Sequence, residues 1–329
     1  ALFAAQLTGR LALDPETPFR FAGRMSALPG LSITGAETLI AAQRRIKSPA
    51  ELAIMQVAMD ASYRVQKAVH AGLRPGVKAS EVADFIAAAH VALGMSPVFA
   101  AVQFGEATAY PHGVPHDQQL ASGDMVLVDM GARLHSYHSD ITRTYVFGPS
   151  TARQRHLWDC ERQAQLAAFA AAQPGTLCQA VDRAARDVLE KAGFGPGYAV
   201  PGLPHRTGHG LGLDIHEGPW IVQGDTTPLA PGMCFSIEPL LGVSGDCGVR
   251  LEDIVYMTEA GPRWFCPPAE RPDAPSGRPR GGAACAAHPK KARIGLKSFT
   301  AIKKHVVRVR EMHLNAGAAT RADAVQMVG

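Results

Sequence analysis

LRPGVKASEVADFIAAAHVALG (residues 73–94) and AQPGTLCQAVDRAARDVLEKAG (residues 172–193) align without a gap, at a constant offset of 99 residues. Pro75-Gly76 falls on Pro174-Gly175, Val82 on Val181 and Gly94 on Gly193. Each copy follows a longer helical stretch and leads into strand-like segments. Before the first copy, KSPAELAIMQVAMDASYRVQKAVHAG opens on Ser48 and Glu51, a capping-box pair, with Pro49 at the first helical position. Leu52, Met55, Val57, Met59, Tyr63 and Val69 give a mostly helical stripe, so the spacing predicts a helix from about Pro49 to Ala71. A second long helix is expected over about 150–172. After the first copy come VLVDMG and SDITRTYVFG; after the second come CFSIEPLL and VRLEDIVYMT. The repeated unit is therefore helix, helix, antiparallel strands. That order predicts an α+β fold with helices on one face of a curved sheet.

The strand segments carry acids where a core strand should be apolar. Asp129 sits inside Val126-Leu127-Val128-Asp129-Met130, and a buried carboxylate needs a compensating charge. Asp140 lies eleven residues on, across a turn containing His135-Ser136-Tyr137. If the two arms form an antiparallel hairpin, both acids can face one side. Glu238 ends the apolar stretch Met233–Ile237, and Glu252 lies between Leu251 and Asp253-Ile254-Val255. By alternation Asp253 points to the opposite face as a structural partner, while Arg250 shares the face of Glu252. HRTGHGLGLDIHE (205–217) brings His205, His209 and His216 together among glycines that let backbone approach closely. Asp129, Asp140, His209, Glu238 and Glu252 make a set of four carboxylates and one imidazole. Such a set suits Mn²⁺, Co²⁺, Zn²⁺ or Fe²⁺ rather than a thiolate site. Two ions held together can activate a shared water and polarise a carbonyl.

With 329 residues, 47% hydrophobic and 19% charged, the chain can bury a sizeable core. No apolar run approaches the ~18 residues of a membrane helix. The opening ALFAAQLTGRLALDPE has no initiator Met or basic n-region; it reads as a chain entered partway through rather than as a signal peptide. Six cysteines without a CxxC pair point to a reducing, cytoplasmic setting and not to a disulfide framework. The net charge of +4 is uneven: from Arg271 onward there are 12 Lys/Arg against 3 Asp/Glu, leaving 21 against 26 before it. The Lys/Arg clusters of that tail lack interleaved aromatics, so nucleic-acid binding is not expected.

VDMG, SDITRT, HRTGHGLGLDIHE, FSIEP and VRLED, in this order between Arg44 and Phe265, resemble the pita-bread metallopeptidases. The likeness is greatest to the proline-specific branch, the Xaa-Pro aminopeptidases and prolidases. The resemblance implies that Asp129 holds a second ion, that Asp140 and Glu252 bridge two ions, and that His209 and Glu238 hold the first, with Glu238 also the general base. It implies that His112, His205 and His216 contact substrate and stabilise the tetrahedral intermediate, with Arg250 nearby. Two divalent ions are implied, manganese foremost, and a peptide substrate with proline second. A homodimer is implied where the N-terminal domain is complete. Methionine aminopeptidases share the five ligands, and catalytically silent relatives usually lose some of them. The expected division is 1–45 as the remnant of an N-terminal domain, 46–266 as the catalytic domain, and 267–329 as a basic, Pro/Gly/Ala-rich, disordered tail.

Overall fold

The computed structural model describes residues 8–275. Its N-terminal part runs β1 (Gly9–Leu13), α1 (Phe19–Ser26), β2 (Leu31–Gly35) and α2 (Glu37–Arg45), with β1 and β2 paired in parallel. Within residues 8–45 only Ala36 is buried. The chain then makes α3 (Pro49–Gly72), α4 (Ala79–Ala92), β3 (Ser96–Phe104), a 3₁₀ turn over Gly105–Ala109, β4 (Met125–Leu134) and β5 (Tyr137–Val146). It repeats the order with α5 (Ala152–Ala171) and α6 (Cys178–Lys191). After these come β6 (Gly208–Gly210), β7 (Glu217–Ile221), β8 (Cys234–Ile237), β9 (Leu240–Gly242), β10 (Gly248–Arg250), β11 (Asp253–Thr258) and β12 (Gly261–Trp264).

Local signals set the helix bounds. The Ser48 hydroxyl accepts the Glu51 N–H while the Glu51 carboxylate accepts the Ser48 N–H, closing the capping box of α3. Thr151 and Gln154 do the same for α5. The shorter helices α4 and α6 are both 14 residues long, and their bounds differ by the same 99 residues as the sequence echo. Their surroundings repeat too. The Gly76 N–H donates to Leu120 O (2.7 Å) and the Gly175 N–H to Leu229 O (2.8 Å). Gly94 and Gly193 end the two helices at φ 78° and 87°, a left-handed backbone that glycine adopts without a Cβ clash. The echo is thus a structural duplication.

Strands β3, β4 and β5 form one antiparallel sheet; β12-β11-β8-β6-β7 form another, and β9 pairs with β10. A single bridge between Thr142 and Glu252 joins the halves edge to edge. The core has two main clusters, and β4 divides its side chains between them. Met125 and Leu127 join the cluster packed by α5 and α6, whereas Val126, Val128 and Met130 join that of α3 and α4. A strand covered on both faces reads as a continuous apolar run, which is why VLVDM does.

The domain does not stop at residue 266. The buried Arg143 guanidinium donates through Nε to Pro275 O (3.0 Å) and through Nη2 to Pro267 O (3.2 Å), and the Val146 N–H donates to Pro272 O (3.1 Å). A guanidinium carries five donors, and the carbonyls of a proline-rich segment can take them. The first residues of the expected tail are therefore packed against the body; the remainder, 276–329, lies outside the described residues. The five cysteines among the described residues are free. No helix among them is long and apolar enough to cross a membrane.

Candidate metal centre

The β4–β5 hairpin sets Asp129 opposite Thr142 and Gly131 opposite Asp140. Asp129 and Asp140 are diagonal neighbours on one face, within reach of a common ligand. The turn between the strands is only His135-Ser136, both at positive φ (46° and 71°), a tight hairpin reversal. From the other half, Glu238 follows β8, and Glu252 lies between β10 and β11. Glu252 is tied to β5 by its N–H to Thr142 O (3.1 Å) and by the Thr142 hydroxyl to its Oε2 (2.7 Å). His209 is the middle residue of β6. A Cβ at Gly208 would collide with the Ser236 carbonyl oxygen, so glycine there lets β6 lie close beside β8.

His209 Nδ1 lies 3.0 Å from Gly210 O, and a carbonyl can only accept, so Nδ1 carries the proton. In the neutral ring, Nε2 is then a lone pair. It stands 3.0 Å from Glu238 Oε1, 3.8 Å from Asp140 Oδ2 and 4.0 Å from Glu252 Oε1. Ligand atoms of Asp140, His209 and Glu252 all lie within 4.8 Å of one another. Asp129 Oδ1, Asp140 Oδ1 and Glu252 Oε1 are buried without a hydrogen-bond partner. Partnerless buried carboxylate oxygens crowded into one cluster repel one another unless a cation lies among them, so these residues fit divalent metal ions. The electrostatics agree. Burial, then Asp129 and Glu238, push the Asp140 carboxyl well above its ordinary range; burial, then Asp140 and Glu238, do the same to Glu252. Burial also raises Asp129, although Arg250 opposes it with a 2.7 Å ion pair. Burial alone would raise Glu238, but when His209 Nε2 carries a proton in place of a metal ion, its charge and hydrogen bond, with His205 and Arg250, outweigh burial and hold the carboxyl low.

All nine residues singled out in the sequence line one cavity of about 580 Å³: Asp129, Asp140, His209, Glu238, Glu252, His112, His205, His216 and Arg250. His205 Nδ1 faces Arg206 O (2.6 Å), which leaves Nε2 as an acceptor, buried and without a partner. Burial lowers its basicity. The His216 ring stands edge-on to His209, with centroids 4.2 Å apart. Burial first, then the neighbouring His209 when protonated and Arg206, bring its pKa down to about 4. Asp253 faces away and pairs with Arg143 at 2.6 Å, as its alternation requires. The sequence reading missed Phe99, Ala101, Pro111, Arg206 and Ile215, which complete the wall. Arg206 stood beside His205 in the motif; its guanidinium lies 4.9 Å from the Trp220 ring centroid, and no carboxylate among the described residues pairs with it.

Against known proteins, the chain is 44% identical over 220 residues to a probable dipeptidase PepE of Mycobacterium tuberculosis, an alignment covering 66% of this chain and 57% of that protein. The chain thus spans little more than half the length of that curated relative. The crystal structure of dipeptidase PepE from Mycobacterium ulcerans superposes with a TM-score of 0.72 at 38% identity, covering 78% of this chain and 68% of that one. Prolidase from Pyrococcus furiosus superposes with a TM-score of 0.72 at 31% identity, covering 78% and 76%. The duplicated α+β architecture is the pita-bread fold shared with these structures. The model of metallopeptidase family M24 matches residues 53–259, from the first turns of α3 to just past β11. That span contains both halves and all five metal-ligand candidates, and the chain belongs to metallopeptidase family M24.

Proposed function

We propose that the chain is the catalytic part of a dinuclear, metal-dependent exopeptidase that hydrolyses the Xaa-Pro bond of dipeptides or longer peptides. One observation carries the reading: five oxygen and nitrogen ligands from both halves converge in a single cavity, with three buried carboxylate oxygens lacking any partner. Asp129 would serve one ion, His209 and Glu238 the other, and Asp140 and Glu252 both. Manganese is the first candidate for such a donor set, with cobalt, zinc or iron as substitutes. When bound, the ions supply an activated water and a charge that polarises the scissile carbonyl.

The remaining chemistry belongs to the protein's own side chains. Glu238, 13% exposed at its side chain, is more open than Asp140 or Glu252, at 3% and 2%. Held ionised, it can accept the proton of the attacking water and pass it to the leaving nitrogen. His216, neutral near pH 7, can donate an N–H to the oxyanion that forms as the carbonyl turns tetrahedral. His205 Nε2 offers an acceptor to the substrate, and His112 stands in the same wall. Arg250 orients Asp129 through their ion pair.

A homodimer, where the N-terminal domain is complete, and a cytoplasmic location complete the proposal, the latter supported by free cysteines among the described residues. A panel of Xaa-Pro dipeptides, longer Xaa-Pro peptides and Met-Ala peptides, run with Mn²⁺ or Co²⁺, tests the activity. Cleavage of Xaa-Pro substrates is expected. Cleavage confined to Met-Ala peptides would move the chain to the methionine aminopeptidase type, and no turnover with metal bound would make it a binding protein.

A further inference from the structure

Two buried glutamines occupy equivalent places in the two halves, Gln66 on α3 and Gln165 on α5, separated by the same 99 residues as the repeat. Gln66 is 3% exposed and Gln165 0%. Nε2 of Gln66 donates to Val128 O (2.8 Å) and Ile141 O (3.2 Å), the carbonyls just before Asp129 and just after Asp140. Nε2 of Gln165 faces Leu251 O (2.9 Å), Asp253 Oδ2 (3.1 Å) and Ile237 O (3.4 Å). Those residues flank Glu252 on both sides and precede Glu238. One turn earlier, again at the 99-residue offset, the Ser62 hydroxyl bonds Ser139 Oγ (2.7 Å), next to Asp140. Glu161 there accepts the Leu251 N–H (3.2 Å), next to Glu252. Positions i and i+4 share a helix face. Each half's first helix thus turns two polar side chains onto the strands that carry its own pair of acids.

An amide in a core costs desolvation that an apolar residue of similar size would not. Packing alone therefore does not account for a glutamine at both places. Carbonyl oxygens accept two hydrogen bonds, so a side-chain amide can hold them without breaking a sheet ladder. We propose that Gln66 and Gln165 are positioning residues of the metal centre. Gln66 staples the strands of Asp129 and Asp140, and Gln165 staples those of Glu238 and Glu252, so that each amide sets the spacing of its pair. Every stapled peptide adjoins a ligand, and a small strand displacement reaches the carboxylate directly. The inference rests on the metal-centre reading above.

Cobalt(II) titration of the full chain, read by calorimetry and by the visible d–d spectrum, tests it. The wild type is expected to bind two equivalents. Gln66→Met and Gln165→Met keep the side chain's size and remove its donor. Each is expected to weaken cobalt binding about tenfold or more and to change the band intensities. The two variants should weaken different binding steps, because each glutamine holds a different pair of ligands. Wild-type affinities and spectra in both variants would overturn the inference. So would equal losses in both steps matched by a fall in melting temperature of the metal-free protein, since that marks general loosening. If the Met variants do not fold, Gln66→Asn and Gln165→Asn keep an amide with shorter reach and are read in the same way. A wild type that binds no cobalt sinks the metal-centre reading and this inference together, whereas normal wild-type binding with unaffected variants sinks this inference alone.

Discussion

Asp140 sits where an ionised side chain costs stability unless a cation lies beside it. Its side chain is 3% exposed, Oδ1 has no partner, and Oδ2 stands 3.8 Å from His209 Nε2. Removing it as Asp140→Ala deletes an oxygen from the centre of the cluster and is expected to abolish two-metal binding by calorimetry. Undiminished stoichiometry would refute the ligand assignment. The same substitution relieves crowding among buried carboxyls, so the metal-free variant should be as stable as the wild type or more stable by about 1 kcal/mol in urea unfolding. At this scale the acidic ligand candidates were legible because acids interrupting apolar runs conflict with burial. Arg143 was not. Its acceptors are the carbonyls of Thr142, Glu252, Pro267 and Pro275 and the carboxylate of Asp253, and residues spread so far along the chain leave no local pattern.

Among the elements, α3 and α4 are tied by a polar contact inside their packing. His90 on α4 is fully buried, and its Nε2 lies 2.9 Å from the Ser62 hydroxyl on α3. Burial brings its pKa from 6.5 down to about 4. Between those values the unfolded chain binds a proton that the folded chain resists. The stability conferred by a neutral His90 is therefore complete above about pH 6.5 and is lost as pH falls toward 4, by up to about 1.4 kcal/mol per unit. Urea unfolding at pH 7, 6 and 5 should show this slope in the wild type and a shallower one in His90→Gln; equal slopes would mean that His90 is protonated without cost. The helices themselves were readable because capping boxes and terminal glycines act within a few residues. The hairpin turn was less so: His135-Ser136 adopts positive φ without the Asn-Gly signature that usually announces it.

For the whole molecule, the duplication explains why one cavity gathers its ligand candidates from segments more than a hundred residues apart, meeting at the Thr142–Glu252 bridge. The packed segment after residue 266 belongs to the same body. Ending the chain at residue 266 would leave buried Arg143 without the Pro267 and Pro275 acceptors, and hydrogen bonds to a charged group contribute about 1.5–3 kcal/mol each. Thermal unfolding should fall by about 5 °C or more. An unchanged midpoint would show that Arg143 finds water or other acceptors instead. Fold class, the repeat, the two long helices and the five ligand candidates were all decided along the chain, because hydrophobic period, capping and misplaced acids are short-range signals. The Arg250–Asp129 pair, the glutamine staples, the Arg206 wall and the reach of the domain to Pro275 were decided only on folding. Each depends on a hydrogen bond, ion pair or cavity between segments distant in sequence, and no local spacing encodes where two such segments will meet.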